Sequence, residues 1–202
     1  PLTEGALAEK IAMEAGSLHF FDAAAPIITA DSISTAVVFR ASRYGRGDDY
    51  LNCPMDEAQY HAFIDALLAA DCAPVRDFEE DRLFDGCLPI ESIARRGRMA
   101  AAFGPLKPVG LLDPRTGREP FAVVQLRQDD AAASLYNLVG FQTRLKFQEQ
   151  KRVFGLIPGL EQAEFARFGV MHRNSFINSP GFLDRNYAVR GQDGQFFAGQ
   201  VT

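Results

Sequence analysis

No Gly-x-Gly-x-x-Gly stands between a strand and a helix anywhere in this sequence, so its 202 residues lack a dinucleotide-binding fingerprint of their own. Cysteine is almost as scarce. Cys53, Cys72 and Cys87 are too few for a disulfide framework, and no Cys-x-x-Cys pair suggests a metal or redox centre. From composition alone, each is read as a small buried apolar residue. The apolar runs fall far short of the ~20 residues a membrane helix needs. No basic segment followed by an apolar stretch opens the chain. Internal repeats and low-complexity tracts are also missing. These absences point to a soluble, cytoplasmic protein with no metal and no membrane partner.

What is present is an ordinary globular balance, 47% hydrophobic and 23% charged, in a length that suits one or two domains. The net charge of −5 argues against bulk nucleic-acid binding but conceals an asymmetry. Residues 1–93 carry 6 basic and 17 acidic side chains; residues 94–202 carry 15 basic and 9 acidic. Such polarity marks either a half that faces a polyanion or a merely solvated surface. The first residue is Pro1 rather than Met, and Gln195 to Thr202 reads as a strand entering a glycine turn. The chain is therefore expected to be a piece of a longer one.

Residue patterning predicts a mixed α/β fold with an antiparallel component. Thr3 caps a first helix through Leu7 and Ile11, with Gly16 as its stop. Leu18 to Phe21 reads as a strand ended by Pro26, and Gly45 to Asp49 as a loop. Tyr50 to Cys53 is a short strand, with Pro54 placed in the first turn of the next helix. Over 55–70, Tyr60, Phe63, Ile64, Leu67 and Leu68 follow helical spacing. Tyr60 and Phe63 are read as core rather than base-stacking, and His61 between them as a surface or half-buried residue. A third helix runs from Ile90 to Arg96 and stops at Gly97. Asp113 to Gly117 is a turn. Pro120 to Gln128 alternates, with Ala122, Val124 and Leu126 on one face. Leu135 to Phe141 is its expected antiparallel partner. Arg144 to Phe154 reads as an amphipathic helix ended by Pro158-Gly159. Glu164 to Ile177 reads as a strand with a turn or bulge near His172, and Tyr187 to Phe197 as a hairpin.

Six segments then carry a specific resemblance: Leu51-Asn-Cys-Pro-Met55, Gly104-Pro-Leu-Lys-Pro-Val-Gly110, Asp113-Pro-Arg-Thr-Gly117, Val124-Gln-Leu-Arg-Gln128, Leu138-Val-Gly-Phe-Gln-Thr143 and Gly169-Val-Met-His-Arg-Asn174. In this order they resemble the methylenetetrahydrofolate-dependent tRNA (uracil-5-)-methyltransferases, relatives of the glucose-inhibited division protein A family. The similarity runs from Pro1 to Thr202; a mild departure is Phe147-Gln148, where the family more often has Trp-Gly. The resemblance implies a flavoenzyme with FAD, NAD(P)H and 5,10-methylenetetrahydrofolate that methylates uracil C5 in the tRNA T-loop. It further implies that residues 1–30 and 166–202 are pieces of a Rossmann-like FAD-binding domain and that 31–165 is an insertion domain. The family's glycine-rich FAD motif and a further N-terminal cysteine are missing from this chain, and its second FAD segment stops just past Gly199. The 202 residues alone are thus expected to purify without flavin and without activity. Two other readings remain: a sister flavoprotein of tRNA wobble-uridine modification, and a non-catalytic RNA-binding module.

Chemistry at uracil C5 calls for a thiolate near the flavin. Cys87 follows Gly86 and precedes the helix that begins at Pro89 or Ile90, where free N–H groups favour an anion. Cys72 closes a helix, where the dipole opposes one, and Cys53 has no cationic neighbour in sequence. The resemblance strengthens the case for Cys87 through the family's Gly-Cys-x-Pro-Ile-Glu segment. It also suggests that His172 stacks on the folate pterin and that Arg173 and Asn174 hold folate or flavin oxygens. Gln125, Arg127 and Gln128 either line the same cleft or belong to a solvated sheet face. Lys107, between two prolines, suits an anionic ligand. For RNA the candidates are Arg95, Arg96, Arg98, Arg144, Lys146, Lys151 and Arg152, any of which is equally well a solvated cation.

Overall fold

The computed structural model describes residues 18–74 and 88–198 together with Glu9, and the backbone alone over 18–23 and 172–176. Of the helix expected from Thr3, all but Glu9 lies outside the described residues. Two compact units emerge. One comprises residues 23–76 and 84–171, the other residues 1–22, 77–83 and 172–202.

The larger unit is a six-stranded sheet with helices on it. Its strands are β2 (Ile27–Thr29), β3 (Phe39–Arg40), β4 (Tyr50–Met55), β5 (Ala122–Gln128), β6 (Leu135–Leu138) and β7 (Phe165–Arg167), and β1 (Leu18–Ala24) precedes them. The order across the sheet is β3-β4-β5-β6-β2-β7, every neighbouring pair antiparallel. The longest ladder sets Tyr50 opposite Arg127 and runs to Met55 opposite Ala122. Pro54 therefore lies inside β4, not in a helix as expected. It faces Val123, whose N–H donates to Leu106 O instead of across the ladder, so the missing proline N–H costs no strand bond there.

Helix α1 (Glu57–Leu68) starts one residue after Asp56, which forms a reciprocal cap with Gln59. Its apolar stripe, Tyr60, Phe63, Ile64 and Leu67, is buried against Cys53, Met55, Val124, Leu126 and Phe141 in one core. Each such side chain contributes about 1.5–3 kcal/mol of transfer free energy, so the aromatics are core as expected. His61 beside them is half-buried, its ring near Tyr60 and Phe121. Helices α2 (Ile90–Arg95), α3 (Ala100–Phe103) and α4 (Phe147–Phe154) contribute to the same core.

The far face of the sheet holds a smaller cluster of Phe39, Leu111 and Val123. Between the strands sits a buried amide pair. Gln125 Nε2 donates to Asn52 Oδ1 at 3.0 Å, and Asn52 Nδ2 donates to the carbonyls of Phe39, Ala41 and Tyr50. Of the alternating strand's second face, Val123 and Gln125 are thus buried while Arg127 reaches solvent, as does Gln128 at the end of the first face.

The other unit holds most of β1 and of β8 (Val170–Phe176), which pair as a two-stranded sheet, then α5 (Ser179–Phe182) and a turn-rich segment. Val189 N donates to Gln195 O and Phe197 N to Tyr187 O, closing the expected hairpin around Gly191 and Gly194. Ile177, Leu183 and Val189 form its small core. The strand expected over 164–177 is interrupted at Phe168-Gly169, ahead of the His172 position. The whole is mixed α/β with an antiparallel sheet.

Candidate functional site

Helix α2 opens with a fully buried carboxylate. Glu91 Oε2 accepts from Thr143 Oγ1 at 2.9 Å, Oε1 accepts from Arg144 N at 2.8 Å, and Arg144 Nε lies 3.8 Å away. Thr143 Oγ1 in turn accepts from Leu145 N, and Ile90 N donates to Gln142 O. These contacts, with Ala73 N donating to Arg144 O and Lys146 N to Asp71 O, hold residues 142–146 extended. Helix α4 consequently starts at Phe147 and not at Arg144 as periodicity suggested.

Gln150 of α4 is buried as well. Its Nε2 donates to Leu145 O and Gly169 O, and its Oε1 accepts from Gly169 N. Gly169 has no room for a side chain: a Cβ there would lie 2.7 Å from Thr143 Cγ2. The 143–147 segment and residues 169–171 are thereby brought together around a cavity of about 390 Å³, within the range of small-molecule sites. Pro74, Leu145, Phe147 and Met171 give it apolar walls, and Thr143, Arg144 and Lys146 polar ones.

Of the residues singled out by sequence, Arg144 and Lys146 line this cavity, and β8 carries His172, Arg173 and Asn174 immediately beyond its wall residue Met171. Cys87 and Gly199 lie outside the described residues. Gln125 and Arg127 do not line the cavity; Gln125 is committed to Asn52. Glu91, Thr143 and Gln150 were not singled out. Two stand within or beside the motif segments, but only the tertiary fold shows that they meet.

The two described thiols differ in burial and share a direction. Burial pushes the Cys53 thiol far above its ordinary value, with Glu161 adding to the effect. Burial also raises Cys72, aided by Glu91 and opposed by Arg144 and Arg95. Neither environment favours a thiolate. No cluster of three or more His, Cys, Asp or Glu side chains able to hold a metal occurs among the described residues, and no helix among them is long and apolar enough to cross a membrane.

The cationic candidates are mostly engaged. Arg98 pairs with Asp65 at 2.6 Å, Arg152 with Glu149 at 2.6 Å and Lys146 with Asp71 at 2.9 Å. Lys151 Nζ lies 5.7 Å from the centre of the Phe168 ring, which is stacked between Phe147 and Phe165. Arg95 and Arg96 are exposed at the end of α2. Lys107 lies apart from all of these, in the loop after α3, with its Nζ 5.6 Å from the centre of the Tyr44 ring.

Known proteins agree with this architecture and extend it. A methylenetetrahydrofolate--tRNA-(uracil-5-)-methyltransferase TrmFO of Rubrobacter xylanophilus is 61% identical over 207 residues, covering 100% of this chain and 46% of its own length. The protein of the same name from Acetivibrio thermocellus is 58% identical over 205 residues, covering 100% of this chain and 47% of its own. The chain thus spans about half the length of these curated relatives. A solved structure of Aquifex aeolicus GidA (form II crystal) superposes with a TM-score of 0.55 at 13% identity, covering 96% of this chain and 30% of that one, a likeness of fold. Residues 2–202 match the description "Glucose inhibited division protein A", and the chain belongs to that family.

Proposed function

We propose that the protein containing this chain is a folate- and FAD-dependent methyltransferase that forms ribothymidine in the T-loop of tRNA, reduced by NAD(P)H and working in the cytoplasm. The observation that carries this reading is the 57–61% identity, over the whole chain, to relatives named methylenetetrahydrofolate--tRNA-(uracil-5-)-methyltransferase. In this reading residues 31–165 are the insertion domain and residues 1–30 and 166–202 are pieces of the flavin domain. The compact unit of residues 23–76 and 84–171 supports such a division.

The cavity between Thr143–Phe147 and Gly169–Met171 suits a folate through its apolar walls, which match the pterin and benzoyl rings. His172, Arg173 and Asn174 are expected to bind folate or flavin from the family resemblance, on the motif of residues 169–174. Among the described residues no glycine-rich turn opens a helix as a pyrophosphate cradle requires, so these residues do not by themselves fit the phosphates of FAD. The part of FAD, when bound, is to supply the reducing electrons. Cys87 would add as thiolate to uracil C6, which places the displaced π electrons on C5 and C4–O4 and makes C5 nucleophilic. C5 would then bond to the methylene carbon. The bond from that carbon to its carrier nitrogen breaks, with the electron pair staying on nitrogen, as the C5 proton is lost. A hydride received at the resulting CH2 completes the methyl group while C5=C6 re-forms and the thiolate leaves. Glu91, four residues on, would act by holding the 142–146 segment rather than by touching substrate.

Single-turnover transfer of labelled methyl from methylenetetrahydrofolate to tRNA tests the reading with the full-length protein. Transfer is expected, falling at least 100-fold in Cys87→Ala, roughly 3 kcal/mol in the barrier, with FAD still bound. No transfer by the parent protein would sink the assignment, and near-normal transfer by the variant would remove Cys87 from the chemistry.

A further inference from the structure

One side chain of the larger unit is exposed, aromatic and held in an unfavourable backbone conformation. Tyr44 has φ +62 and ψ 22, the left-handed region that a residue other than Gly, Asn or Asp seldom adopts. The residue is 56% exposed. The conformation is imposed from several sides. Tyr44 N donates to Val109 O at 3.3 Å, and Gly110 packs so closely that a Cβ on it would lie 2.8 Å from Tyr44 N. Arg43 fastens the same two loops together, its Nη2 donating to Pro105 O at 2.6 Å and its Nε to Lys107 O at 2.9 Å. Strain of this kind, held in place to present a ring to solvent, is a feature of ligand sites more often than of packing.

The ring is presented together with positive charge. Lys107 Nζ lies 5.6 Å and Arg46 Cζ 5.7 Å from its centre. Among the described residues neither cation has a carboxylate within ion-pair distance, in contrast to Arg98, Lys146 and Arg152. The nearby acid Glu119 is turned to Gly110 N at 2.7 Å, and the Asp49 backbone N–H is bound to Ser42 Oγ. The Tyr44 phenol responds as expected to this field: Lys107, and then Arg43 and Arg46, hold its ionisation below the ordinary tyrosine range.

We propose that Tyr44, Lys107 and Arg46 form a platform for an unstacked nucleotide of an RNA loop, the base lying on the Tyr44 ring and the adjacent phosphate between the two cations. An exposed ring with cations close to it that no carboxylate pairs is what single-stranded nucleic acid requires, since every base has a face to stack and every linkage an anion to neutralise. A paired stem offers no free base face, so the platform distinguishes a loop from a duplex. The inference rests on the tRNA-methyltransferase reading and adds the surface that engages the loop.

The test is fluorescence anisotropy with the full-length protein, using a labelled T-arm stem-loop RNA and, separately, a fully paired duplex of the same stem. Tyr44→Asn removes the ring while tolerating the left-handed backbone; Tyr44→Phe keeps the ring; Lys107→Gln removes one cation. Tyr44→Asn is expected to weaken stem-loop binding about 5- to 100-fold and to leave duplex binding unchanged, with Tyr44→Phe close to the parent. Lys107→Gln is expected to flatten the plot of log K against log salt by about 0.7 for one lost phosphate contact. If the parent binds the stem-loop and Tyr44→Asn binds it equally well, the platform is overturned and the methyltransferase reading stands. Equal weakening on stem-loop and duplex overturns it too. A parent that binds neither RNA overturns both.

Discussion

Two groups of cations on the larger unit invite comparison. On the rim formed by α1 and α4, Arg98, Lys146 and Arg152 each face a carboxylate at 2.6–2.9 Å. On the loops at residues 43–46 and 107, Arg46 and Lys107 face an aromatic ring. Exposed ion pairs like the first group add little to stability, but they cancel the field that an approaching phosphate would feel. The second group leaves its field intact. Runs of basic residues in sequence drew attention to the rim, whereas the isolated Lys107 has no carboxylate within ion-pair distance among the described residues. A cation's partners, far more than its sequence neighbours, decide whether it is available.

Breaking the framework beneath the rim should have the largest effect. Glu91→Ala removes the acceptor of Thr143 Oγ1 and of Arg144 N, and should cost about 3 kcal/mol in urea unfolding. Glu91→Gln, which keeps an acceptor for Arg144 N, should cost clearly less; equal losses would mean that charge rather than acceptor geometry holds the segment. Next comes Gln150→Leu, which strands both backbone groups of Gly169 and should cost about 2 kcal/mol by the same measurement. The charge comparison itself is sharpened by RNA binding against salt. Arg152→Gln should change the slope less than Lys107→Gln, and Glu149→Gln, by releasing Arg152, should steepen it; equal slopes for Arg152→Gln and Lys107→Gln would erase the distinction. The smallest effect is spectroscopic. In an absorbance titration of the phenols, Tyr44 should ionise below the ordinary tyrosine range, and Lys107→Gln should move it back upward. A titration unaffected by that substitution would separate the ammonium from the ring.

Elements governed by local rules were legible in the sequence. The 3.6-residue stripe of α1, the turn at Asp113–Gly117 and the pairing of Ala122–Gln128 with Leu135–Leu138 need only near neighbours. What was hidden depends on distant residues. Pro54 is tolerated inside β4 because Val123 turns its N–H to Leu106. Arg144 is kept out of α4 by a carboxylate 53 positions earlier. Gln125 reads as half of a solvated face, yet it is buried by a partner 73 positions away. The cavity is of the same kind, since it joins residues 73–74, 143–147 and 169–171, which no window along the chain contains. Lys107 drew notice through its flanking prolines, but Tyr44 did not, because a left-handed tyrosine carries no sequence mark.

The buried Asn52 makes an edge of the sheet depend on a single atom. Two amide hydrogens on Nδ2 are shared among the carbonyls of Phe39, Ala41 and Tyr50, and β3, only two residues long, has few ladder bonds of its own. Asn52→Asp exchanges that nitrogen for an oxygen. The variant would set a carboxylate against three carbonyl oxygens, turning the strand's main attachment into repulsion while leaving Gln125 satisfied on the other oxygen. A one-atom substitution, with almost no change in volume, would thus release an edge strand of the sheet.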